Sequence, residues 1–220
     1  MMDSNMVNLL IQGILESLYM TVISTLIAYA LGLPMGVILT ITDKNGIKPI
    51  AVLNKVLGFI VNFLRSIPFI ILLVAVMPFT RAIVGTTLGS TATIVPLVIA
   101  AAPFVARMVE SSLKEVDAGV IEAAQSMGTS NWQIIWKVLI PEAKPSLIVG
   151  SAITVTTILS YSAMAGFTGG GGLGVIAINY GYYRYQSDIM LITVLLLVVI
   201  VQIFQEVGMF IARRTDKRKD

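Results

Sequence analysis

Few side chains in this sequence are equipped for chemistry. Among 220 residues there is no histidine and no cysteine. That removes the commonest metal ligand, the side chain that titrates near neutral pH, and every thiolate or disulfide. A Ser–Lys hydrolase would need a lysine deep in an apolar run, and none lies there. The HExxH metal motif and the GxxxxGK[ST] phosphate loop are absent as well. What remains is a short set of residues whose type is out of place or whose spacing is ordered. Arg65 falls inside or beside an apolar stretch, three residues before Pro68. Ser160, Tyr161, Ser162, Met164 and Thr168 form a soft, polar run. Glycines fill positions 169–172 and recur at Gly174. Glu122, Ala123, Ala124, Gly128 and Pro141 punctuate the longest polar stretch.

Each of these has a chemical reading and a plainer one. A charge in lipid is expensive, so Arg65 must face protein, water or headgroups, with Glu110 or Glu16 as a carboxylate partner, or else snorkel. Pro68, like Pro34 in the first apolar run and Pro96 and Pro103 in the third, either shapes packing or serves as a bending point along a cavity. Ser160, Tyr161 and Met164 are candidates for a transport pathway, although a methionine in a membrane core is more often packing. Gly169 and its neighbours permit tight turns and close backbone approach. No strand precedes them, so they are not a nucleotide fingerprint. Tyr180, Tyr182, Tyr183 and Tyr185 surround Arg184 and read as an interfacial girdle or a partner contact.

The elements that must carry these residues follow from composition. The chain is 56% apolar and 12% charged, where soluble proteins use about a quarter charged residues. Its mean hydropathy is +0.89. Small soluble enzyme, secreted disulfide scaffold, disordered chain and nucleic-acid module all fit poorly. An integral membrane protein fits. Backbone groups in lipid must be paired internally, so each apolar run of roughly 20 residues reads as a helix. Five runs qualify, at about 14–41, 57–77, 88–108, 147–167 and 189–212, giving an all-α polytopic fold. The first has no basic n-region and reads as a retained helix rather than a signal peptide. Its Gln12, Glu16 and Ser17 lie at the interface or on an inner face. Within the run, GLPMG supplies small residues for close helix contact.

Most of the 15 basic residues fall on one side of a five-span layout. Lys44, Lys48 and Lys55 flank the first connection, Arg107, Lys114, Lys137 and Lys144 the third, and Arg213, Arg214, Lys217, Arg218 and Lys219 the end. The positive-inside rule then puts the N-terminus outside and the C-terminus in the cytoplasm. The third connection, about 109–146, is far longer than a link requires, and it looks folded. Asp117 can cap a helix beginning near Ala118, and Gly128 can end it. Ser130 and Gln133 have the spacing of a capping box for a second helix. That helix carries Trp132, Ile135, Trp136 and Leu139, and Pro141 stops it. The two tryptophans read equally well as membrane-interface anchors.

The run EAAQSMGTSNWQIIWKVLIP, 122–141, resembles the cytoplasmic signature of permease subunits of bacterial binding-protein-dependent ABC importers. Glu122, Ala123, Ala124, Gly128 and Pro141 match it; Val138 and Ile140 are mild departures. SIPFIILL, GGGGLG and YGYYRYQSD resemble the methionine-importer permeases in particular, so the likeness covers nearly the whole chain. The resemblance implies a type I ABC importer permease fold. It implies a second permease copy, two cytoplasmic ATPase subunits and an extracytoplasmic substrate-binding protein or lipoprotein in a bacterial cytoplasmic membrane. It assigns Glu122, Ala123, Ala124, Gly128 and Pro141 to a coupling helix that fits an ATPase cleft. Arg65 takes a structural or gating role in that context. The chain itself would hold no cofactor and no catalytic site; ATP and magnesium would belong to the ATPase partners, and no nucleic acid is involved. The alternatives are a permease for another amino acid or a short peptide and, less economically, an independent channel or secondary carrier, which often shows an internal repeat not evident here.

Overall fold

The computed structural model describes residues 4–216; Lys217, Arg218 and Lys219, which were expected to flank the last span, lie outside them. Every regular element among the described residues is helical. Helix α1 is Ser4–Thr42, α2 Ala51–Arg65, α3 Phe69–Ala75, α4 Met77–Val84 and α5 Ser90–Lys114. Helices α6 (Ala118–Ser126), α7 (Asn131–Ile134) and α8 (Ile140–Glu142) follow, with a π-helical turn, Ile135–Leu139, between the last two. Then come α9 (Lys144–Met164), α10 (Gly172–Ile176) continued by a π segment, Ala177–Tyr182, and α11 (Ser187–Thr215).

Among the described residues, four stretches are long and apolar enough to cross a membrane: α1, α5, the run Lys144–Tyr182 that starts with α9, and α11. A fifth is reached by counting α2 and α3 as one span. The expected second span at 57–77 is therefore broken. Proline disfavours the helical conformation in the residue before it, so Ile67 cannot continue α2. The chain ends α2 at Arg65, bends sharply, and restarts α3 with Pro68 as its N-cap at φ −55°, ψ 134°. Pro34, by contrast, does not break its helix; α1 runs through it, as either shaping packing or a bend allows. In lipid a single lost backbone bond is tolerable when the helix is held by its neighbours.

The described residues divide into two compact units, and α1, α5, α9 and α11 contribute residues to both. The first unit gathers the chain up to Ile27, then Ile67–Ala101 and Val155–Gln205. Its core includes Leu10, Leu173 and Ile176, which bring α10 against the first turns of α1. A Cβ on Gly13 would lie 2.5 Å from Ile176 Cδ1, so a larger residue there would force the Ile176 side-chain end to shift.

The second unit gathers Ala28–Ser66, Ala102–Thr154 and the chain from Glu206. Here α1 lies directly on α5. A Cβ on Gly32 would fall 2.7 Å from the Ala102 carbonyl oxygen, and one on Gly36 2.6 Å from that of Ala106. The small residues of GLPMG serve the close contact expected of them. Leu39, Val61 and Ala106 are buried together, joining α1, α2 and α5. Asn54 fixes the α1–α2 corner by donating to the Leu39 carbonyl at 2.7 Å and to Thr42 Oγ1 at 3.2 Å. Of the long helices, α5 is the most buried and α11 the least. Leu191, Leu195 and Val198 remain exposed on α11, as suits a helix whose outer face meets lipid or another chain.

Candidate functional site

The third connection begins later and ends earlier than the sequence suggests, because α5 continues to Lys114 and α9 starts at Lys144. What lies between is folded by local rules. Asp117 caps α6, its carboxylate accepting from the Gly119 N–H at 2.7 Å. Gly128 adopts φ +73°. Its N–H donates to the Gln125 carbonyl at 2.9 Å, and that of Thr129 to the Ala124 carbonyl at 3.2 Å. This pair of bonds is a Schellman motif, which satisfies the last carbonyls of α6. A Cβ at Gly128 would touch nothing within 4 Å, so the demand for glycine is conformational rather than steric. Ser130 and Gln133 form the expected capping box at the start of α7.

The second helix differs from expectation at its end. Pro141 does not stop it, since helical geometry persists to Glu142. The strain of the proline is taken up one turn earlier by the π-helical turn at Ile135–Leu139, a looser pitch that leaves room where an α-turn would be crowded. Ile134, Ile135 and Leu139 are buried. Trp132 and Trp136 are exposed and pack edge-to-face, with ring centroids 5.5 Å apart. On α6, Ala124 is buried while Glu122 and Ala123 face outward. Glu122 lines a cleft of about 420 Å³ together with Asp43, Gly46, Lys114 and Gln125. The two short helices thus present the exposed Glu122 on one and the tryptophan pair on the other, each helix capped at its start. Pro141 is exposed beside them.

A charge cluster lies at the root of this loop. Glu110 is only 7% exposed. It holds Arg107 at 2.5 Å and Lys114 at 2.8 Å. Lys114 also meets Asp43 at 2.7 Å. The Lys114 ammonium and the Lys44 backbone N–H together hold the Asp43 carboxyl below the usual carboxylate range.

The remaining candidates are dispersed. Arg65 is exposed at the end of α2, its guanidinium 5.9 Å from the Phe104 ring centroid. Neither acid expected to partner it does so. Glu110 is engaged as described, and Glu16 accepts from Gln12 and from the Gly172 N–H at 2.7 Å. Pro68 is exposed at the start of α3. The next residue, Phe69, stacks on Tyr161 of α9 with centroids 4.4 Å apart and planes 3° from parallel. Ser160 and Met164 are exposed on α9, although the Ser160 hydroxyl donates to the Thr156 carbonyl. Gly169, at φ +77°, accepts through its carbonyl from the Gly89 N–H at 2.9 Å. The Arg184 guanidinium lies over the Tyr180 ring at 4.3 Å, while Tyr182, Tyr183 and Tyr185 are exposed. No group of three or more acidic, His or Cys side chains that could hold a metal ion occurs among the described residues.

Sequence reasoning missed two arrangements. One is the cap in which Glu16 and Ser17 of α1 accept from the Gly172 and Leu173 N–H groups of α10; its partners are 156 residues apart, and no local pattern announces it. The other is the buried state of Glu110. The spacing Arg107, Glu110, Lys114 does suit i,i+3 and i,i+4 pairing on a helix, but not the burial.

With this geometry in hand, likeness to known proteins is informative. Residues 32–219 match the family described as binding-protein-dependent transport system inner membrane component. The probable D-methionine transport system permease protein MetI of Vibrio cholerae is 52% identical over 211 residues, covering 96% of this chain and 94% of that one. The D-methionine transport system permease protein MetI of Escherichia coli K12 is 50% identical over 165 residues, 75% of this chain and 76% of that one. A solved inward-facing structure of the MetNI methionine ABC transporter superposes with a TM-score of 0.97 at 47% identity, over 98% of this chain and all of that chain.

Proposed function

The chain belongs to the binding-protein-dependent transport system inner membrane components, and on that premise we propose that it is the permease subunit of an ATP-driven importer that carries methionine into the cytoplasm. The observation that carries this reading is the 47% identity at a TM-score of 0.97 to the MetNI methionine transporter over almost the whole chain. The chain is the non-catalytic membrane part and works with a separate ATPase.

The finer parts of the reading rest on the chain's own residues. Two copies of the permease pair in a bacterial cytoplasmic membrane, which would cover faces such as that of α11 and enclose a gated route for which five spans are few. Two ATPase subunits, carrying ATP and magnesium, dock on the short helices α6 and α7. The basic residues flanking that loop favour its cytoplasmic placement, with the N-terminus outside and the C-terminus inside. A substrate-binding protein or lipoprotein delivers methionine on the opposite side. Glu122 supplies an acceptor to the ATPase, Ala123 permits close approach, and Ala124, Gly128 and Pro141 hold the loop's shape. Ser160, Tyr161 and Met164 on α9, with Gly169 beyond it, line the pathway. Arg65 and Pro68 act at the α2–α3 break as a gate rather than a substrate site.

Uptake across an amino-acid panel tests the substrate. The chain is purified with its ATPase and binding protein and reconstituted into vesicles. Methionine should be imported in preference to other amino acids and short peptides, and only with ATP. Preference for a different amino acid or a peptide would overturn the substrate. Uptake by the permease without the ATPase would overturn the importer reading in favour of a channel or carrier.

A further inference from the structure

A buried carboxylate is costly unless both oxygens are paired and hydrogen-bonded, and Glu110 meets that condition in an unusual way. Its Oε2 holds Arg107 at 2.5 Å and its Oε1 holds Lys114 at 2.8 Å. Each cation reaches onward to a different element. Arg107 donates from Nε to Asn62 Oδ1 at 3.2 Å and from Nη2 to the Gly58 carbonyl at 3.1 Å, gripping the second half of α2. The Asn62 carbonyl in turn accepts from the Ser66 N–H at 3.0 Å and the Ser66 hydroxyl at 2.8 Å, at the point where α2 breaks before Pro68. Lys114 bonds Asp43 at 2.7 Å, the first residue past α1. Lys114 is also the last residue of α5, three residues before the Asp117 cap of α6.

The chain of contacts therefore starts where the coupling loop leaves α5 and ends at the α2 break. We propose that Glu110 and Lys114 are positioning residues for transport: they tie the root of the coupling loop to α2 and to the end of α1, so that a displacement of α6 moves these helices instead of unwinding the last turn of α5. The alternative role, a static brace, would contribute to stability and leave energy coupling untouched. The proposal rests on the importer reading above and adds to it the side chains that transmit the motion.

The test uses the reconstituted complex and three readouts: ATPase recovered with the permease, ATP hydrolysed, and methionine imported. Lys114 is 46% exposed, so Lys114→Gln should fold. Its ATPase recovery should match wild type, while ATP consumed per methionine should rise between about twofold and thirtyfold, the range for residues that couple distant sites. Lys114→Arg, which keeps the charge, should restore the wild-type ratio. Glu110→Gln should act in the same direction and more strongly. An unchanged ratio in Lys114→Gln overturns the proposal, whether or not Glu110→Gln assembles. Loss of ATPase recovery in parallel with uptake overturns it too, by assigning Lys114 to docking. If the wild-type complex imports nothing with ATP, the importer reading falls, and the proposal with it.

Discussion

At the scale of single residues, the loop between α5 and α9 is shaped by caps made between close neighbours in the chain. Asp117, Gly128, Ser130 and Gln133 do what their spacing promises because a cap is made within one turn. Gly128 supports a sharp prediction. With open space where a Cβ would go and φ at +73°, Gly128→Val should strain the backbone by about 1–2 kcal/mol, whereas Gly128→Asn, which tolerates that region, should cost much less. Cleavage of the loop by a protease in detergent would show Val cut faster than wild type and Asn close to it. Glu16 is the opposite case, since its hydrogen bond from the Gly172 N–H depends on packing that no local pattern encodes. Glu16→Ala removes a helix cap and should destabilise the protein by about 1 kcal/mol, read as a lowered thermal midpoint, with Glu16→Gln, still an acceptor, less affected. Asp43 carries a pH dependence. Its folded carboxyl titrates below its unfolded value, so its link to Lys114 stabilises fully above the ordinary carboxylate range and is lost as pH falls through the depressed value. Asp43→Asn should flatten the acid limb of a stability–pH curve there, and an unaltered limb would contradict the assignment.

At the scale of elements, apolar length located the long helices but not their interruptions. A run of apolar residues through Pro68 looks the same whether the helix kinks or stops, and the sequence expectation of one span at 57–77 could not tell these apart. At Pro141 a local rule was read too strictly, because a π-helical turn absorbs the proline and lets the helix continue. The GLPMG contact was legible in kind, although its partner, α5, was not. It predicts that Gly36→Ala already disturbs the α1–α5 seam, since the new Cβ would sit 2.6 Å from a backbone oxygen that cannot swing away. The expected loss is about 1–3 kcal/mol, measured as a lower melting temperature in detergent. Gly150→Ala, whose Cβ would come no closer than 3.3 Å to a flexible methionine end, should be nearly neutral.

At the scale of the whole molecule, fold class was legible because composition alone demands a membrane and ordered spacing marks the loop, while the pathway was not, because under the proposed pairing its lining depends on which faces the two copies bring together. Candidates such as Ser160 and Met164 lie exposed on α9. Topology is testable on the whole molecule. With single cysteines at Asn5, Thr86, Asn179 and Thr215, an impermeant reagent applied to right-side-out vesicles should label the first three and spare Thr215; equal labelling at 5 and 215 would contradict an odd number of crossings. The central claim is that a separate ATPase drives methionine through this chain by way of α6 and α7. It is tested most directly by methionine accumulation in vesicles carrying the ATPase, the binding protein and either wild-type permease or Glu122→Lys, with ATP hydrolysis followed in the same sample. Wild type should accumulate methionine against its gradient only while ATP is hydrolysed. Glu122→Lys should insert normally yet either fail to retain the ATPase or hydrolyse ATP without matching uptake. Normal ATPase retention with a normal ratio of ATP to methionine in Glu122→Lys would contradict the claim.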